Sequence, residues 1–200
     1  MEELMSILRR LRQPDGCPWD QRQTHDSLRS YLIEEAAEAV DAIYDGDTEA
    51  IVEELGDVLL QIAFHAVIGE EEGTFGYSEI EKAIVEKLIR RHPHVFGSAN
   101  VNGVNQVVAN WEAIKREERG TAPVRNEVPN SLPALKRAAE ICKLQKWDER
   151  RESEDLLNDY QDDPKYVADY LWAIVCLAVR HGIDPELELR DIINRKLTGS

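Results

Sequence analysis

The 200-residue chain is poor in cysteine, in cations and in long apolar runs. Its three cysteines, Cys17, Cys142 and Cys176, are too few and too scattered for a disulfide framework or a zinc site, so reduced thiols are expected. Cys142 and Cys176 fall in apolar helical patterns and read as core packing. No run of about 18 apolar residues and no charged-then-apolar leader is present, which predicts a cytoplasmic protein with no spanning or targeting segment. Only 24 Lys and Arg stand against 39 Asp and Glu, a formal charge of −15. That balance disfavours nucleic-acid backbones and anionic membranes as partners, and any anionic substrate would need a cationic mediator. Gly-rich phosphate loops, nucleophile elbows and Cys-His arrangements are absent. The five histidines form no Glu-x-x-His pair, which argues against a di-iron carboxylate bundle.

What remains is helical periodicity, with no convincing alternation of strand residues. It predicts an all-α fold, with helices near residues 2–12, 25–44, 48–72, 78–91 and 104–118. Pro14-Asp15-Gly16 ends the first, Ser78 with Glu81 resembles a capping box for the fourth, and His92-Pro93 stops it. The Pro-rich stretch from Gly120 to Pro133 is the best boundary. Residues 1–120 are therefore expected as one helical domain, 121–131 as a linker and 132–200 as a smaller helical domain.

Four carboxylates stand out on two successive helices: Glu35 and Glu38 in EEAAE, Glu54 and Asp57 in EELGD. At about 100° per residue, Glu35 projects from the stripe Leu28, Leu32, Ala36, Ala39 and Ile43, Glu38 borders it, and Glu34 points away. Glu54, Asp57 and Gln61 form a narrow polar stripe between two apolar faces, one of Ile51, Leu55, Val58, Leu59, Ile62 and Ala66, the other of Leu60, Phe64 and Ile68. The turn at Asp45-Gly46-Asp47 folds the two helices antiparallel, so the carboxylates converge. Unpaired charge on such faces is costly, and a metal removes the cost. All-oxygen donors suit Mg²⁺ or Mn²⁺. Either pair alone would read as solvated surface.

On the fourth predicted helix Ile80, Ile84 and Leu88 define the apolar face, yet Lys87 and Arg91 project from that same face, with Arg90 at its edge. Snorkelling explains such placement in isolation. Beside an acidic metal seam, a phosphate clamp is the more economical reading. Two roles are open to Trp19 in GCPWD: stacking on a base, or anchoring a loop. His65 reads as a hydrogen-bonded core histidine, and His92 and His94 flank a helix end.

The second half carries a weak echo of the first. Trp147-Asp148, Arg150 and Leu156 repeat the spacing of Trp19-Asp20, Arg22 and Leu28, with Asp162-Asp163 where Glu34-Glu35 would fall. DYLWAIVCLAV from Asp169 parallels DVLLQIAFHAV from Asp57, but Pro164 interrupts the would-be helix and Tyr166 stands where acids are needed. Any metal site in that repeat is lost.

The order GCPWDQRQTHDSL, EEAAE, EELGD, EKLIRRHPHVFG and NWEAIKREER resembles the MazG family of nucleoside triphosphate pyrophosphohydrolases over about residues 1–120. KLQK, HGIDPE and NRKL resemble the family's C-terminal repeat more loosely. The resemblance implies a helical bundle completed by dimerisation, with a degenerate second repeat. It implies Mg²⁺-dependent hydrolysis of NTP or dNTP to the monophosphate and pyrophosphate, a nucleotide-pool housecleaning reaction. The family's metal pattern falls on Glu34, Glu35, Glu38, Glu54 and Asp57, and its phosphate-contacting cations on Lys87 and Arg91. The helical phases select Glu35, Glu38, Glu54 and Asp57 as metal ligands, leaving Glu38 or Glu34 to orient the attacking water. In the second repeat the matching lysine is Lys196, while Ser200 takes the arginine position.

The rival reading is a regulatory or dimerisation protein that keeps a nucleotide-binding shape without catalysis. A divalent-metal buffer is a lesser rival, which would not need Lys87 and Arg91 to face inward. Apolar residues almost all round the third predicted helix lead us to expect a homodimer or higher homo-oligomer.

Overall fold

The computed structural model describes residues 1–120, 128–145, 147 and 163–198. Ten α-helices and one 3₁₀ turn are found among them, with no strand. The chain divides into two compact units, Met1–Lys115 and Arg116–Ser200. The expected linker at 121–131 falls largely outside the described residues, as do Asp148, Arg150, Leu156 and Asp162 of the expected repeat, and Ser200.

In the first unit α1 (Glu2–Leu11), the short α2 (Pro18–Gln21), α3 (Arg29–Asp45), α4 (Thr48–Glu72), α5 (Tyr77–Arg91) and the short α6 (Pro93–Phe96) follow in order, and α7 (Val104–Arg119) begins there and ends past the boundary. α3 and α4 make the most extensive contact, and α1 packs on α4. Met5 and Leu8 of α1 meet Leu28 and the α4 residues Ala63, Phe64, Ala66, Val67 and Ile68 in one core. Leu8, Leu28 and Val67 are among the most deeply buried side chains.

The α3–α4 hairpin is fixed at its tip by two local devices. Gly46 takes φ 73°, the left-handed conformation that ends a helix and that other residues adopt only with strain. Asp47 then caps α4, its Oδ1 accepting from the N–H groups of Glu49 at 2.9 Å and Ala50 at 3.5 Å. At the other end of α4, a Cβ on Gly69 would lie 2.5 Å from the Phe75 carbonyl oxygen, so only glycine lets the following loop return so closely.

Two helix starts differ from those expected. α3 starts at Arg29 rather than 25, because Thr24 and Ser27 exchange side-chain to backbone bonds, Thr24 N to Ser27 Oγ at 2.9 Å and Ser27 N to Thr24 Oγ1 at 3.1 Å. Such local bonds offer the backbone an alternative to the helix. α5 begins at Tyr77, and Glu79 closes its first turn by accepting from the Gly76 N–H at 2.9 Å, so the expected Ser78–Glu81 box gives way to the glutamate half of one two residues earlier, Gly76 having no side chain to complete it. His92-Pro93 does stop α5, and Pro93 then opens α6, where its missing N–H costs nothing.

The second unit contains α8 (Ala134–Leu144), a 3₁₀ turn (Pro164–Tyr166), α9 (Val167–Arg180) and α10 (Pro185–Thr198). Ala139, Cys142, Val175, Cys176 and Val179 form its core, with Trp147 edge-on to Trp172 at 4.9 Å. Cys142 and Cys176 are fully buried free thiols, their sulfurs 3.1 Å apart. Asp163 caps the 3₁₀ turn through Lys165 N at 3.0 Å and pairs with Lys165 Nζ at 2.8 Å, a local use rather than part of an acid seam. Among the described residues no single helix is long and apolar enough to cross a membrane.

Candidate active site

The hairpin register decides which carboxylates meet. One ligand oxygen each from Glu35, Glu38 and Glu54 lie within 4.8 Å of one another. Glu35 and Glu54 are half-buried, as is Asp57, whereas Glu38 is exposed in the single chain. Burial raises the Glu35 pKa above the ordinary carboxylate value, and the charges of Asp57, Glu38 and Glu54 and a hydrogen bond with Glu38 push it further. Glu54 is raised likewise, first by burial and then by Glu38, Asp57 and Glu53. Asp57 thus lies outside the tight oxygen cluster but within its field. Glu34 is exposed on the outer side of α3.

Converging like charges with only burial and each other acting on them are unstable in isolation. Three hard oxygens at this spacing fit a hard divalent cation such as Mg²⁺ or Mn²⁺.

Lys87 is exposed on α5, and Arg91 is half-buried at its end, with its guanidinium 5.9 Å from the centre of the Trp111 ring. Lys115 sits over the same ring at 4.7 Å and pairs with Glu112 at 3.1 Å. Neither Lys87 nor Arg91 figures among the charges acting on Glu35 or Glu54. The physical reason is topological: α5 follows the far end of the hairpin and packs on α4 and α6. The acids are brought together by one hairpin, whereas Lys87 and Arg91 belong to a separate helix.

Trp19 lies edge-on to Tyr31 at 6.0 Å and to Phe64 at 6.3 Å, and is 50% exposed. Its backbone is held from below: Gln23 Nε2 donates to the Trp19 carbonyl at 3.0 Å, and Arg12 Nη1 donates to the carbonyls of Asp20 and Gln23. The Arg12 guanidinium, only 6% exposed, also pairs with Glu71 at 2.7 Å. Nothing in the sequence links positions 12, 20, 23 and 71. Tyr31 was equally unforeseen, although it lies one helical turn before Glu35 on the same face.

Residues 23–96 match the MazG nucleotide pyrophosphohydrolase domain. The nucleoside triphosphate pyrophosphohydrolase/pyrophosphatase MazG of Thermotoga maritima is 38% identical across 94% of this chain and 79% of its own length. The chain belongs to the MazG family. The nucleoside triphosphate pyrophosphohydrolase of Escherichia coli K12 is 44% identical over 72% of this chain and 56% of its own length. An uncharacterized Bacillus subtilis protein, YabN, is 52% identical over 69% of this chain but only 29% of itself. The chain thus spans between about a third and four fifths of the length of these MazG relatives. Glu34, Glu35, Glu38, Glu54 and Asp57, with Lys87 and Arg91, lie inside the matched MazG segment.

Proposed function

We propose that this protein is a divalent-metal-dependent nucleoside triphosphate pyrophosphohydrolase that converts NTP or dNTP to the monophosphate and pyrophosphate. The observation that carries the proposal is the convergence of Glu35, Glu38 and Glu54 on one point between α3 and α4, a charged cluster that a scaffold has no use for. Glu35, Glu38, Glu54 and Asp57 would hold Mg²⁺, with Mn²⁺ as an acceptable substitute. The bound ion supplies neutralisation of the phosphate oxygens and a lowered pKa for an attacking water.

The chain's own groups do the rest. Water adds to the α-phosphorus while the bond from that phosphorus to the α,β-bridging oxygen breaks, so pyrophosphate leaves with the bridging oxygen. Glu38, exposed at the mouth of the cluster, or its neighbour Glu34, accepts the water proton. Lys87 and Arg91 meet the charge that builds on the departing pyrophosphate. Trp19, half-exposed on its aromatic support, stacks on the base.

A homodimer completes this arrangement. Ile33, Val40 and Ile43 of α3, Val52, Leu55 and Leu59 of α4, and Ile84, Val85, Leu88 and Ile89 of α5 are all more than a third exposed in one chain. A second copy would cover these faces and bring further side chains toward the acids.

The test is release of nucleoside monophosphate and pyrophosphate in equal amounts, dependent on Mg²⁺ and lost in Glu54→Gln. Metal-dependent nucleotide binding without release would favour the regulatory protein, and metal binding without nucleotide binding the buffer.

A further inference from the structure

We infer that Gln61 contacts the nucleoside part of the substrate, its amide oxygen accepting a hydrogen bond from a donor on the sugar or base. This inference rests on the pyrophosphohydrolase reading above and extends it to the half of the nucleotide that the carboxylates do not touch.

Gln61 is 4% exposed, and its Oε1 is buried without a hydrogen-bond partner. Folded proteins leave few buried acceptors unpaired, because each forfeits its hydration without return. A leucine or methionine would continue the apolar pattern of Leu60, Ala63 and Phe64 at no such cost. A costly glutamine in the core of α4 therefore points to a ligand.

Its position says which ligand. Gln61 follows Glu54 by seven residues and Asp57 by four, so it points within about 20° of Glu54 and about 40° of Asp57 round the helix. Along the axis it lies about 6 Å beyond Asp57. On α3, Tyr31 precedes Glu38 by the same seven residues. The antiparallel register that brings Glu38 to Glu54 consequently sets Tyr31 opposite Gln61.

Tyr31 and Phe64 are also the two rings that support Trp19. The polar stripe of the hairpin thus runs from carboxylates to an unpaired amide oxygen and ends at an aromatic wall with an open face. A nucleotide has the same order: phosphates, a sugar with hydroxyl donors, and a flat base carrying N–H donors.

The experiment compares wild type with Gln61→Met, which keeps the side chain's length and removes its acceptor. Hydrolysis of CTP, dCTP and dUTP is measured with Mg²⁺, together with inhibition by inorganic triphosphate, which has no nucleoside, and the melting temperature. The expected result is a rise in KM of about tenfold for nucleotides, an unchanged inhibition constant for inorganic triphosphate, and a melting temperature at or above that of wild type. A collapse of the CTP to dCTP ratio assigns the contact to the 2′-hydroxyl, and of the dCTP to dUTP ratio to the base edge. A uniform rise assigns it to the 3′-hydroxyl that all three share.

Unchanged nucleotide KM values in an active Gln61→Met variant would overturn the inference, as would an equal loss of affinity for inorganic triphosphate. Those outcomes leave the activity itself standing. A wild type that releases no pyrophosphate from any nucleotide removes the pyrophosphohydrolase reading instead.

Discussion

His25 Nδ1 lies 2.7 Å from His65 Nδ1, joining the loop before α3 to the middle of α4. The rings are nearly parallel, and that of His25 also stacks on Phe75 at 5.6 Å, with the Glu72 carboxylate 3.6 Å from its Nε2. One Nδ1 must donate and the other accept, so the contact requires at least one neutral ring.

Burial lowers the His65 pKa below 6.5, and His25 lowers it further. The folded state therefore binds fewer protons than the unfolded chain just below that pH. The stabilisation is complete above the unfolded value of 6.5 and is lost as pH falls from there toward the depressed folded value. Melting temperatures measured between pH 8 and pH 5 should fall below about pH 6.5, and the fall should be shallower in His65→Phe. An identical slope in the two proteins would remove this pair as its source.

Glu54→Gln should leave the helical fold intact and, without divalent metal, should melt no lower than wild type. Glu35 and Glu54 both have raised pKa values, which means that their charges oppose folding at neutral pH and that apo stability rises as pH falls through those values. With Mg²⁺ the order should reverse, because wild type gains stability from ion binding that the variant cannot match. Equal Mg²⁺-induced shifts in both proteins, read by calorimetry, would count against the metal site.

Lys87→Ala should lower kcat/KM by about 10- to 100-fold, the loss of one charge-assisted hydrogen bond worth roughly 1.5–3 kcal/mol, with Mg²⁺ affinity unchanged. Because Lys87 is exposed in one chain, the apo protein should keep its melting temperature. Steady-state kinetics with unchanged kcat/KM would refute the clamp.

Leu28 and Leu55 separate the core from the proposed dimer interface. Leu28 is fully buried, so Leu28→Ala should cost about 2–5 kcal/mol at any protein concentration. Leu55 is 49% exposed, and Leu55→Lys should instead dissociate the proposed dimer, seen as a lower mass by light scattering. A Leu55→Lys variant of unchanged mass would place the interface elsewhere.

The carboxylate cluster was legible in the sequence because it depends on two short-range features, helical phase and a tight turn. Glu35, Glu38 and Glu54 follow once α3 and α4 are antiparallel, and Gly46 with Asp47 makes them so. Gln61 was visible on the same polar stripe, but that its oxygen is buried and unpaired is a property of packing. The His25–His65 pair was half legible: His65 reads as a bonded histidine, yet its partner is 40 residues away. Arg12 under the Trp19 loop carried no signal, since its partners are backbone carbonyls of the following loop and Glu71, which only α1 packing on α4 brings near. Leu55 and Ile43 read as members of apolar faces and stand exposed in one chain, because periodicity reports that a face is apolar and not what covers it.

The most direct measurement is to incubate the protein with NTPs and dNTPs, with and without Mg²⁺, beside Glu54→Gln, and to quantify monophosphate and pyrophosphate. Equimolar release of both products with Mg²⁺, and none from the variant, is the expected result. Release of orthophosphate in place of pyrophosphate, or equal turnover by Glu54→Gln, would contradict it.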